Sequence, residues 1–193
     1  MKQIVAFDFD GTLTRSDSFL ELITFAHGKW AFAWALLVHA PLIVLMKLRL
    51  YSNQRAKEHM FRWFFGGMDI GDFDALCRRF AKEKQGILRP EGIKAMAQAR
   101  EQGAEVLVVS ASIDNWVRPF FPQATIVGTQ IEVVNSTVTG RFATKNCYGK
   151  EKVNRIATLF PHRENYRLTA YGDSRGDREL LQWADEAHYK PFR

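Results

Sequence analysis

The sequence predicts an α/β fold in which a parallel sheet, flanked by helices, is interrupted after its first strand by a long helical insertion. Residues 3–7, 104–110 and 166–173 are strand-length apolar runs, each leading into an acid or a hydroxyl. Segments of helical period separate the later runs. Residues 15–88 break that alternation and read as helix throughout.

Each element has a local cause. Gln3-Ile4-Val5-Ala6-Phe7 suits a buried parallel strand and leads into Asp8-Phe9-Asp10-Gly11-Thr12. Residues 104–110 repeat the pattern and end on Ser110; residues 166–173 repeat it again and end on Asp173. Glu91 to Glu101 is helical and stops at Gly103. Gly149 to Phe160 is a second helix, stopped by Pro161. Residues 130–142 read as a hairpin turning at Asn135-Ser136, beside the parallel strands rather than among them. Gly66-Gly67 marks a break between helices of the insertion. The expected organisation is a core of residues 1–14 and 89–193 with a helical cap of residues 15–88. Ligands of open parallel sheets sit beyond the carboxyl ends of the strands, so the three polar strand ends should converge on one pocket.

Composition narrows the class. With 47% hydrophobic and 25% charged residues among 193, the chain can bury a core and is not disordered. A net charge of +6 favours anionic partners. Zinc-finger spacing, RNP-type aromatics and basic runs are absent, which argues against nucleic acid. Cys77 and Cys147 have no Cys-x-x-Cys spacing and read as free thiols of a reducing compartment. Residues 2–8 read as a strand rather than a cleavable leader, so a cytoplasmic location is expected.

The chemistry concentrates at Asp8 and Asp10. A phosphate ester repels nucleophiles because the phosphoryl group is already negative. A carboxylate can divide its hydrolysis into two steps through an acyl phosphate. A metal cation offsets the gathered charge, and a neighbouring acid protonates the leaving oxygen. Two carboxylates two residues apart supply nucleophile and acid, and Gly11 lets the chain turn so that amides face the phosphate.

Asp8-Phe9-Asp10-Gly11-Thr12-Leu13 resembles the first signature of the haloacid dehalogenase superfamily. Ser110 resembles the second, Lys150 in Tyr148-Gly149-Lys150-Glu151-Lys152 the third, and Gly172-Asp173-Ser174-Arg175-Gly176-Asp177 the fourth. The resemblance implies a Rossmann-like core with an inserted α-helical C1 cap. It implies that Asp8 is the nucleophile and Asp10 the acid–base group. Ser110 with Ala111, and Lys150, would hold the phosphoryl group. Mg²⁺ would be bound by Asp8, Asp173 and the backbone carbonyl of Asp10, with Asp177 in support; few carboxylates plus phosphate and water suit that ion. The cap's position resembles the phosphoserine phosphatase-like branch, subfamily IB. Ser110-Ala111-Ser112 and Gly176 depart from that branch's usual Ser-Gly-Gly and Asn, which counts against phosphoserine itself. Asp17 stands where the branch has an amine-binding Glu, and Asp17 and Arg55 are the specificity candidates.

Residues 30–46 carry one polar side chain, His39, and are flanked by Lys29, Lys47 and Arg49. The run is short for a spanning helix and contains Pro41. It resembles the cap of the membrane-associated phosphatidylglycerophosphatases of the C type. Two substrate classes follow: a small soluble phosphomonoester enclosed by the cap, such as a phosphoserine-like compound whose amine Asp17 would meet, or a lipid phosphate met at the inner membrane face by a peripheral contact through residues 30–46. The rivals are a phosphotransferase, in which an alcohol replaces water, and a non-catalytic binder of phosphorylated ligands.

Overall fold

The computed structural model describes residues 1–40 and 52–192. Five strands form one parallel sheet: β1 (Lys2–Phe7), β2 (Glu105–Ile113), β3 (Thr125–Thr129), β6 (Tyr166–Gly172) and β7 (Glu186–Tyr189), in the order β3-β2-β1-β6-β7. β4 (Ile131–Val134) and β5 (Thr137–Phe142) make a separate antiparallel hairpin, with positive φ at Asn135 and Ser136, as its tight turn requires. Between β1 and β2 run α1 (Ser18–Val38), α2 (Asn53–Phe65), α3 (Ile70–Glu83) and α4 (Pro90–Glu101). α5 (Asp114–Val117) follows β2, α6 (Lys150–Leu159) precedes β6, and α7 (Arg178–Trp183) precedes β7.

Alternation along the strands divides the core into two. Ile4 and Ala6 of β1 join Leu107, Val109, Leu168 and Ala170 on the face covered by α6 and α7, through Ile156 and Leu180. Phe7 and Val108 point the other way, into a core continuous with Phe61, Phe65, Phe73 and Phe80 of the inserted helices. The insertion therefore shares its apolar interior with one face of the sheet.

The insertion begins and ends at one point. Thr14 and Leu88 form an isolated antiparallel bridge, with Arg15 N–H donating to Ile87 O and Arg89 N–H to Leu13 O, both at 2.8 Å. The hairpin leans on the insertion as well. Gly67 N–H donates to Val138 O (2.8 Å), Val138 N–H to Met68 O (2.9 Å), and Phe142 N–H to the Glu58 carboxylate (3.1 Å).

α1 starts on Asp17, whose Oδ1 accepts from the N–H groups of Phe19 and Leu20. It breaks sharply at Gly28, where φ is 83°. Beyond the break Trp30, Trp34, Leu37 and Val38 stand out from the surface, with Trp30 90% exposed. No helix among the described residues is long and apolar enough to cross a membrane. Residues 41–46 of the apolar stretch, with Lys47 and Arg49, lie outside the described residues.

Candidate active site

Strand register builds the site. Phe7 pairs with Val108 of β2 on one side and Tyr171 of β6 on the other. Asp8 therefore follows level with Val109 and Gly172, and Ser110 and Asp173 come one residue further along their own chains. Asp8 N–H still donates to Tyr171 O at 2.9 Å, which pins the start of the loop. The chain then turns through Gly11 at φ 84°, a region that disfavours side chains. A Cβ there would also lie 2.6 Å from a carboxylate oxygen of Asp173, so glycine is required twice over.

Asp8, Asp173 and Asp177 each offer a carboxylate oxygen, all within 4.8 Å of one another, and all three are buried. Lys152 lies among them, its Nζ donating to Asp8 Oδ1 (2.5 Å) and Asp177 Oδ1 (2.6 Å). The three carboxylates make an all-oxygen donor set, which suits a divalent cation such as Mg²⁺. The charges are unevenly held. Burial pushes the Asp8 carboxyl up to about 7, against the pull of Lys152. Burial would lower Lys152, but Asp8 and Asp177 outweigh it and hold the ammonium above its ordinary value. Burial would also raise Asp177; Lys152 and the Ser174 hydroxyl and N–H bring it below its ordinary value. Asp177 Oδ2 accepts from Asp173 N–H, Ser174 N–H and Ser174 Oγ, so this acid shapes the loop that carries Asp173. Thr12 Oγ1 donates to Asp173 Oδ1 at 3.3 Å.

Asp10 is held apart from that cluster. Its Oδ1 accepts from Ser18 N–H (2.8 Å) and its Oδ2 from Ser112 Oγ (2.5 Å). Trp116 Nε1–H donates to Ser18 Oγ (3.0 Å), and Ser18 Oγ lies 3.3 Å from Ser112 Oγ. With Trp116 supplying the first proton, the hydroxyls can point in sequence toward Asp10. Burial and the nearby Asp17 raise the Asp10 carboxyl, so a proton stays on it more readily than on a surface acid. Any share Asp10 takes in holding a metal falls to its backbone carbonyl, because its carboxylate is committed elsewhere.

A cavity of about 440 Å³ opens over Asp8 and Asp10. Ser110, Ala111 and Lys152 line it, as does Asp17, whose carboxylate serves as the helix cap. Ser110 Oγ accepts from Ser112 N–H.

Two residues lie elsewhere than expected. Lys150 is exposed on the first turn of α6, while Lys152 is 2% exposed and is the lysine bonded to Asp8. Two residues apart on a helix, the two side chains face away from each other. The signal was available, since Lys152 and Ile156 share the buried face at i, i+4. Arg55 is likewise exposed and absent from the described lining. Among the described residues, the cation that enters from the insertion is Lys57, whose Nζ donates to Ala111 O at 2.8 Å and lies 5.9 Å from the Phe19 ring centre. Sequence reasoning also missed Ser112, whose role depends on β2 running on to Ile113.

Comparison with known proteins agrees with this geometry. Residues 5–182 match the haloacid dehalogenase-like hydrolase family. The chain is 35% identical to Protein CicA of Caulobacter vibrioides, over 98% of this chain and 86% of that protein. Its fold is similar to a crystal structure from Bordetella pertussis Tohama I, with a TM-score of 0.84 at 17% identity, covering 97% of this chain and 89% of the other. It is also similar to a substrate-bound phosphoserine phosphatase, with a TM-score of 0.66 at 15% identity over 98% and 86% of the two chains. The family match takes in the buried acids and Lys152 alike, and this chain belongs to the haloacid dehalogenase-like hydrolases.

Proposed function

We propose that the chain is a magnesium-dependent phosphomonoester hydrolase working through an aspartyl phosphate on Asp8, with residues 15–88 acting as a cap over a core of residues 1–14 and 89–193. The observation that carries this reading is the buried Asp8 carboxylate at the end of the central strand, 2.5 Å from the Lys152 ammonium and within a cluster of three acids. Phosphoserine phosphatases among the structural neighbours support the reaction class.

Asp8 attacks phosphorus while the ester P–O bond breaks, and Asp10 gives its proton to the leaving oxygen. Water then attacks the aspartyl phosphate, Asp10 takes the water proton, and orthophosphate leaves. Lys152 and the Ser110 hydroxyl meet the phosphoryl oxygens as charge builds on them. Mg²⁺ held by Asp8, Asp173 and the Asp10 carbonyl, with Asp177 in support, would supply electrostatic relief for that charge. An alcohol activated by Asp10 in place of water would make the same chain a phosphotransferase. The test is magnesium-dependent phosphate release from a panel of phosphomonoesters, with added alcohol acceptors and Asp8→Asn as background. Release that survives in the variant overturns the reading.

A second reading concerns location. Trp30, Trp34, Leu37 and Val38 form an exposed apolar row beside Lys29, which suits peripheral contact with an anionic membrane. Co-sedimentation with anionic vesicles, lost on Trp30→Ala/Trp34→Ala, is the expected result; equal sedimentation of both forms contradicts it.

A further inference from the structure

We infer that the cavity over Asp8 takes phosphomonoesters of apolar alcohols, holding the phosphoryl group on its core side and an alkyl or aryl group on its cap side. This rests on the phosphatase reading above and names its substrate class.

The cavity has two chemically different halves. The core side supplies Asp8, Asp10, Ser110, Lys152 and Ser174. The side formed by α1 and α2 supplies Phe19, Leu20, Leu36, Ala56 and Met60. Among the described residues its polar side chains are Asp17, His39 and Lys57, and each has a backbone partner. Asp17 Oδ1 takes two N–H groups of α1, His39 Nδ1 lies 2.8 Å from Ala35 O, and Lys57 Nζ is bonded to Ala111 O. The bond to Ala111 O, next to Ser110, places the Lys57 ammonium toward the phosphoryl end.

A substituent carrying its own amine and carboxylate would have to share Asp17, His39 and Lys57 with the backbone groups they already bond, and would otherwise lie against five apolar side chains. Burying such groups without new partners is unfavourable. A hydrocarbon substituent meets no such cost and gains by leaving water. The apolar lining is also continuous with apolar surface. Leu20 lines the cavity and is 40% exposed, and His39 contacts the half-exposed Trp63 ring at 5.1 Å. A chain longer than the cavity therefore has an apolar exit.

The experiment measures binding, so it does not depend on turnover. Ethyl-, butyl- and hexylphosphonate, all monomeric in water, are titrated calorimetrically into the full chain with magnesium, beside phosphoserine. Affinity is expected to tighten about three- to fourfold per added methylene as each leaves water. The slope with chain length should flatten in Met60→Gln and in Leu36→Asn, two separate substitutions that keep side-chain volume. Affinity that is flat across the series, or tighter for phosphoserine than for hexylphosphonate, overturns the inference. Flat affinities beside magnesium-dependent turnover would overturn the pocket assignment and leave the phosphatase reading standing. Tight hexylphosphonate binding with no phosphate released from any ester would do the reverse. A parallel assay with phosphatidic acid in vesicles separates the sources of the apolar group. Turnover of both soluble and vesicle-borne esters upholds the inference. Turnover of vesicle-borne ester alone, with flat phosphonate affinities, overturns it in favour of recognition at the membrane surface.

Discussion

The Lys152 ammonium lies 2.5 Å from Asp8 Oδ1, and the two side chains are 2% and 7% exposed. The pair is shared, because Asp177 Oδ1 sits 2.6 Å from the same nitrogen. Removing the cation of such a buried group strands its two carboxylates. Lys152→Met should cost about 3–5 kcal/mol of stability and depress turnover by at least a hundredfold. Lys150→Ala, on the exposed face of the same turn, should stay within about 0.5 kcal/mol of the parent. Chemical denaturation and phosphate release on both variants check the contrast. Equal loss in the two would undo the assignment of Lys152.

Asp8 has an unusual linkage. Its folded-state value of about 7 lies above the ordinary 3.8, so between those pH values the folded chain binds more protons than the unfolded one. In that window stability falls as pH rises. Without magnesium, Asp8→Asn should therefore melt higher than the parent at pH 8, by about 2–4 °C for each kcal/mol relieved, and show no such gain at pH 3. A lower melting temperature at pH 8 would contradict the raised Asp8 value.

The carboxylate cluster of Asp8, Asp173 and Asp177 predicts a metal signature. Saturating magnesium should raise the melting temperature of the parent more at pH 8 than at pH 5, because it competes with protons for the carboxylates. Asp173→Asn should weaken the apparent magnesium affinity about 10- to 100-fold. Unchanged affinity in that variant would remove Asp173 from the metal set.

Ser112 orients Asp10 through a 2.5 Å hydrogen bond. Ser112→Ala should lower turnover about tenfold with little change in KM, and should shift the acid–base limb of the pH profile upward, because this bond lowers the Asp10 value. Ser112→Thr keeps the hydroxyl and should restore the limb. A profile unmoved by Ser112→Ala would mean that the bond does not set Asp10.

The strand ends were legible because their residues obey local rules. Apolar runs of strand length that finish in Asp8, Ser110 and Asp173 predicted both the parallel sheet and the convergence that the register produces. Edge strands β3 and β7 escaped, since Thr125–Thr129 and Glu186–Tyr189 are short, of mixed polarity and partly exposed. Lys57 and Ser112 act through packing between distant segments, 54 and 102 residues from their partners, and no local pattern announces such a meeting. The hairpin was readable from its turn, but its seat on Glu58 of α2 and on Gly67 and Met68 just beyond that helix depends on long-range pairing that the turn does not encode.

The central claim is that Asp8 carries the phosphoryl group during turnover. Its most direct test is an acid quench of the enzyme reacting with a phosphomonoester and magnesium, followed by mass spectrometry of the peptide containing residues 3–15. A phosphoryl adduct on Asp8, present in the parent and missing in Asp8→Asn, is the predicted result. Turnover with no adduct on Asp8, or turnover that persists in Asp8→Asn, would contradict it.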